Sequence, residues 1–257
     1  MDHTKGYWDR NARQHGESHW ASWGDEFAIE LEIDTVARHI ASGARVLDAG
    51  CGNGFSTRTQ YRRQAGHVSI VGVDYSEAMI QNAYAALTRD GLTGRIQFAV
   101  GDVTALGFPS ESFDVVYTTR VLINLPTWDR QLKAIDECLR VARRGGVVVF
   151  CEAFWEPLVL LNAMRLLTQL PALVEHDFNR YLKKEALEAA LIARGLAFDN
   201  VDFSSIYYLG SRFLRELVTN PADFPGYSNP INKRFFELEQ QFSGGGFGIQ
   251  QAYVVRK

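Results

Sequence analysis

Five short runs of β-branched and apolar residues, "RVLDAG", "VSIVGVD", "RIQFAVGD", "FDVVYTT" and "GGVVVFCEA", constrain this chain more than any other feature. Each run is continuous rather than alternating, which means both of its faces are buried, and stretches with helical spacing separate the runs. Strands buried on both faces with helices between them make a parallel sheet covered on each side. "DEFAIELEIDTVARHIASG" reads as an amphipathic helix leading into the first strand. "SEAMIQNAYAALTRDGL" opens on a Ser cap and closes near Gly91, and "TWDRQLKAIDECLRVARRGG" runs to basic residues and Gly145.

After the fifth strand the regularity weakens. Residues 154–181 read as an inserted helical piece, and "LKKEALEAALIARGL" resumes the helical pattern. "AFDNVDFSSIYY" reads as a sixth strand, and residues 209–246, with "NPADFPGYSNP" and "SGGG", separate it from a final strand, "GIQQAYVVRK". The expected fold is α/β: a Rossmann-like seven-stranded, mostly parallel sheet with helices on both faces. Residues 1–257 form a single domain, with an N-terminal lid segment at 1–24 and helical cap insertions at 154–181 and 209–246.

Charge and cysteine usage narrow the partners. In 257 residues, 27 basic and 30 acidic side chains leave a net charge of -3, which exerts no general pull on nucleic acid or an anionic membrane. A small partner is expected. Cys51, Cys138 and Cys151 are odd in number and lack CxxC spacing, against a disulfide framework and against a zinc site, so no metal is expected and a cytoplasmic location fits. The polar start, "MDHTKGYWDRNARQHGESHW", has no apolar export core. "PLVLLNAMRLLTQLPALV", from Pro157 to Val174, is broken by Arg165 and Pro171 and is short for a membrane span, so it reads as a buried or lid helix.

In open α/β sheets ligands bind beyond the carboxyl ends of the strands. There the chain sets Asp48 before the glycine-rich "GCGNG", Asp74 in "VGVDYS", Asp102 in "VGDVTAL", Thr118 to Arg120, and Glu152. A dinucleotide fingerprint would need its third glycine where Phe55 stands, and a pyrophosphate prefers positive surroundings. An acid at the loop entrance suits a cationic ligand without phosphate, such as S-adenosylmethionine.

These motifs, in this order and with "GG" before the fifth strand, resemble the class I S-adenosylmethionine-dependent methyltransferases over about residues 25–152. The resemblance implies S-adenosylmethionine as cofactor and S-adenosylhomocysteine as product. Gly50, Gly52 and Gly54 would let the backbone approach the methionine part beside Asp48, and Asp74 would hold the ribose hydroxyls. Tyr75 would flank the adenine, Asp102 would accept from its amine, Val103 would meet the ring and Arg120 would close the pocket; Asn53 and Met79 complete the implied donor site. Other readings stand beside these: Asp74 as a cap for the helix near Ser76, Asp102 as a cap for a turn at Thr104, Tyr75 as packing, Glu152 as a solvated strand end and His176 as a surface residue.

Methyl transfer from a sulfonium is an in-line displacement with an activated donor, so alignment does much of the work and a base is optional. "TTRVLINLPTW" is not the Asn/Asp-Pro-Pro-aromatic stretch of amino-methyltransferases on nucleic acids or proteins, and no cysteine follows a proline. A small-molecule or sugar acceptor remains. A looser resemblance, to stand-alone methyltransferases of natural-product and surface-sugar pathways, favours O-methylation of a hydroxyl, with N-methylation next. Rivals of other classes are a nicotinamide-dependent oxidoreductase and a non-catalytic donor-binding protein. Tyr7, Trp8 and Trp23 are lid candidates for the acceptor. His19 is a possible general base because its ordinary pKa suits proton transfer near neutrality, with Glu152 as the second catalytic candidate. Asn124, Tyr207, Tyr208 and Arg212, with Phe213 and Tyr227, are further acceptor contacts, or equally the core of a cap.

Overall fold

The computed structural model describes residues 2–220 and 226–257; residue 1 of the lid segment and residues 221–225 of the second insertion lie outside the described residues. The strands are β1 (Arg45–Ala49), β2 (Ser69–Asp74), β3 (Ile96–Val100), β4 (Phe113–Thr119), β5 (Ala142–Ala153), β6 (Ala197–Val201) and β7 (Gln250–Arg256). They form one sheet in the order β3-β2-β1-β4-β5-β7-β6. β1 to β5 pair in parallel, whereas β7 runs antiparallel to β5 and β6. The order reverses between β1 and β4, so a crevice opens at their carboxyl ends.

Period-two alternation divides the buried residues between two cores. Val46, Ile70, Val115 and Val149 face one side, against α2 (Glu26–Ala37) and α4 (Glu77–Arg89), through Ala28, Leu31, Ile80 and Ala83. Leu47, Val71, Val116 and Val148 face the other, against α5 (Trp128–Val141) through Ala134, Ile135 and Cys138.

The elements depart from the sequence reading in three places. α5 stops at Val141, and "ARRGG" belongs to β5 rather than to the helix. Ala142 already pairs with Phe113, and the register shifts before Val115; there a Cβ on Gly146 would lie 2.9 Å from the Asp114 carbonyl oxygen. The sixth strand ends at Val201, and "SIYYL" forms α8 (Ser205–Leu209), whose first turn is held by Glu239 accepting from the Tyr207 N–H at 2.9 Å. In the first insertion only α6 (Trp155–Leu167) is helical. It buries Leu158, Leu161 and Arg165 but exposes Val159, Leu160, Leu166 and Leu167, so it lies on the surface with one face packed and is not a core helix. Among the described residues no helix is long and apolar enough to cross a membrane. The N-terminal segment begins with α1 (Asp2–His15), fixed to α4 by the Asn82 amide donating to the Ala12 carbonyl at 2.8 Å.

Candidate functional site

The loop after β1 turns on three glycines with positive φ, at 96° for Gly50, 52° for Gly52 and 70° for Gly54. Their reasons differ. A Cβ on Gly50 would meet the Val121 side chain at 2.2 Å and one on Gly54 the Phe98 ring at 2.4 Å, so both are close-packing positions. A Cβ on Gly52 would have nothing within 4 Å, so that position faces open space. The three therefore differ: Gly52 has free space, while Gly50, which lines the cavity, and Gly54 are packed against their own neighbours.

The acids at the strand ends fasten this loop. Asp74 accepts from the Gly52 N–H and from the Ser76 N–H, both at 2.9 Å. Asp48 accepts from the Thr57 hydroxyl at 2.6 Å, with the Tyr117 hydroxyl as a second donor beside it. Burial pushes both carboxyls up to about 6. Burial, then the carboxylates of Asp74, Asp9 and Asp102, pushes the Tyr75 phenol up, which keeps it a hydrogen-bond donor at neutral pH. Asn53 ties the loop to the N-terminal segment, its amide donating to the carbonyls of Gly16 and Ser18 at 2.9 and 2.8 Å. Asp102 does cap the turn at Thr104, accepting from its N–H at 2.7 Å and its hydroxyl at 2.8 Å, and pairs with Arg130 at 3.3 Å.

One cavity gathers Asp48, Gly50, Gly52, Asn53, Asp74, Tyr75, Met79, Asp102, Val103 and Arg120, with Thr4, Trp8, Ser22, Thr119, Val121 and Asn124 completing its wall. Of the predicted donor-site residues only Gly54 stands off it. Counted with its open mouth, the space between these residues is about 1140 Å³. The Asp48 and Asp74 carboxylates, the free space at Gly52 and the apolar Met79 and Val103 fit an elongated cationic ligand with a flat ring.

A second cavity adjoins the first and shares Trp8, Ser22, Arg120 and Asn124 with it. Of the side chains named from the sequence as acceptor candidates, Tyr7, Trp23, Tyr208 and Arg212 line it, together with Leu158, His176, Phe178, Asn179, Tyr181, Tyr227 and Gln250. His176 is exposed, as read from the sequence, yet it stands on this wall, 4.3 Å from the Phe178 ring centroid and 5.3 Å from that of Tyr7. Arg120 has positive φ, 58°; its guanidinium donates to Glu32 at 2.8 Å and lies 4.8 Å from the Trp23 ring centroid.

Three predicted side chains lie elsewhere. His19 lines neither cavity: its Nδ1 donates to the Trp23 carbonyl at 3.0 Å, and its ring packs by Trp20 and Phe55. Glu152 is neither a solvated strand end nor a wall of either cavity. It is fully buried and accepts from the Thr118 hydroxyl and the N–H groups of Val121 and Ile123 at 2.7, 3.1 and 3.3 Å, so it holds the turn after β4. Tyr207 is buried with its hydroxyl donating to Asp25, as a core residue of the cap. Gln250 was not foreseen, because only the antiparallel direction of β7 brings its first residue to the ligand edge of the sheet. Among the described residues no three His, Cys, Asp or Glu side chains gather as a metal site.

Residues 46–146 match a family model described as a methyltransferase domain. A sterol 24-C-methyltransferase of Gibberella zeae is 32% identical over 141 residues, 49% of this chain and 35% of that protein. A phosphatidylethanolamine N-methyltransferase of Cereibacter sphaeroides is 32% identical over 138 residues, 52% of this chain and 64% of that protein. The chain thus spans about a third of the length of the sterol enzyme. In fold it is similar to the cyclase SpnF, with a TM-score of 0.58 and 21% identity over 94% of this chain and 84% of that one. The glycine loop and the acids Asp48, Asp74 and Asp102 lie within the stretch that matches the family model, and over that stretch the chain is similar to the class I S-adenosylmethionine-dependent methyltransferases.

Proposed function

We propose that the protein transfers a methyl group from S-adenosylmethionine, held in the first cavity, to a hydroxyl or amine of a small molecule held in the second. The observation that carries this reading is the wall common to both cavities, Trp8, Ser22, Arg120 and Asn124, across which two bound ligands would meet. S-adenosylmethionine supplies a methyl group already activated on a sulfonium.

The side chains then have three tasks. Asp48 and Asp74 offer negative charge and hydrogen-bond acceptors to the donor, Tyr75, Met79 and Val103 offer surface to its ring, and Arg120 with Asn124 divides the two ligands. The N-terminal segment 1–24 and the insertions 154–181 and 209–246 supply the acceptor wall through Trp8, Phe178 and Arg212, which supports reading all three as a cap. Without His19 or Glu152 on either wall, alignment carries the rate, and the proton of the acceptor leaves to solvent or to His176. The relatives' names supply precedent for lipid-like acceptors, and O-methylation remains the finer expectation.

Incubation with methyl-labelled donor and a cell extract tests the reading. A labelled small product released in step with S-adenosylhomocysteine is expected. Because a neighbour of this fold is named a cyclase, the product mass must rise by one methyl. Donor that binds and stays intact with every acceptor fraction sinks the proposal.

A further inference from the structure

We infer that the second cavity selects its occupant by hydrogen-bond donors and rejects anions: it takes an uncharged ring compound carrying at least two O–H or N–H groups. The inference rests on reading that cavity as the acceptor site. Three of its side chains, Asn124, Asn179 and Gln250, each keep one amide oxygen buried and without a partner. They arrive from the turn after β4, from the first insertion and from the start of β7, so no single local distortion accounts for them. Gln250 is 3% exposed, and the Asn124 amide N–H is already committed to the Arg120 carbonyl at 2.6 Å, which leaves its oxygen as the group on offer. Other buried oxygens among the described residues also lack a donor, but three gathered on one cavity wall, each keeping its desolvation penalty, mark a place where a ligand can bring the hydrogens.

The rest of the wall specifies shape and charge. Tyr7, Trp8 and Phe178 meet at centroid distances of 5.1, 4.8 and 5.9 Å and present flat apolar surface. The two guanidiniums on the wall are already matched, Arg120 by Glu32, itself 1% exposed, and Arg212 by the fully buried Asp25. A carboxylate or phosphate ligand would have to compete with those internal anions or strand them, whereas a neutral donor-bearing ring leaves both pairs intact. Asn124 borders both cavities and so reads the group that meets the methyl donor; Asn179 and Gln250 read the others.

Four matched probes test this in the S-adenosylhomocysteine-loaded protein: 1,2-dihydroxybenzene, 1,2-diaminobenzene, 1,2-dimethoxybenzene and benzoate. Binding is followed by quenching of tryptophan fluorescence, since Trp8 and Trp23 stand on the wall, and by calorimetry. The diol or the diamine should bind at least about tenfold tighter than the dimethoxy compound, the loss of one hydrogen bond, and benzoate should not compete. Gln250→Met should weaken the diol or diamine about tenfold, with a modest fall in Tm because the Gln250 amide also bonds the buried Glu32 carboxylate. Equal binding of the dimethoxy compound, preference for benzoate, no binding of any probe, or a Gln250→Met variant with unchanged probe affinity overturns the inference. Failure of S-adenosylhomocysteine itself to bind would count against methyl transfer instead, and the probe order would still be readable in the free protein.

Discussion

Asp74 shows how one side chain can carry several duties. Its two oxygens hold the Gly52 and Ser76 N–H groups, so it fixes the one loop position with open space before any ligand arrives. Asp74→Ala strands two amides, at a stability loss of about 2–4 kcal/mol, and should weaken the donor by at least about tenfold in calorimetry; Asp74→Asn keeps one acceptor and should lose less. Protonation gives a second test. Burial holds Asp48 and Asp74 at about 6, so both gain protons as the pH falls below that value, and a cationic donor favours their ionised forms. Donor affinity should fall about tenfold between pH 7.5 and 5 for each carboxylate that must be charged, and Asp48→Asn should flatten part of the profile. A flat profile in the parent protein would show that neither charge meets the donor. In the free protein the sign reverses: these raised carboxyls stabilise the fold below the ordinary carboxylate range, and that contribution is lost as the pH rises through about 6.

At the scale of elements, the turn after β4 links a buried acid to the glycine loop. Glu152 holds Val121 and Ile123 by their N–H groups, and the Val121 side chain fills the space that a Cβ on Gly50 would need. Glu152→Ala should therefore destabilise the fold by about 2–4 kcal/mol and weaken the donor without touching it. Glu152→Gln should retain most of the stability, since one oxygen still accepts from Thr118 and Val121. Thermal melts and donor titrations of the pair check this, and unchanged donor affinity in both would uncouple the turn from the loop. The sheet, its seven strands and the first cavity were legible in the sequence because continuous apolar runs and the acids ending them lie close together along the chain. "SIYYL" was not, since its helix depends on Glu239, more than thirty residues away, and the π turn Gly210–Leu214 that follows packs Gly210 against Phe235, where a Cβ would lie 2.1 Å from the ring. His19 and Glu152 carry chemistry only if they face a ligand, and sequence spacing does not encode that direction.

Across the whole molecule, the N-terminal segment joins the two cavities into one device. Trp8 and Ser22 stand on both walls, and the segment is fastened to the donor side by Asn53 on Gly16 and Ser18, by Asn82 on Ala12, and by the Ser76 hydroxyl on Asp9 at 2.5 Å. These ties run to the glycine loop and to α4 with its N-cap, which are the parts a donor would steady. A donor that orders them also orders Trp8 on the acceptor wall, so the second ligand has less left to organise. Binding should be cooperative and ordered, donor first. S-adenosylhomocysteine should tighten a ring acceptor at least about fivefold, and by linkage the acceptor should tighten S-adenosylhomocysteine by the same factor. Asn53→Ala, which cuts two of the ties, should reduce that coupling more than it reduces either affinity alone. Fluorescence titrations of each ligand with and without the other measure all four constants; equal affinities in both orders would mean that the shared wall is rigid and the cavities are independent.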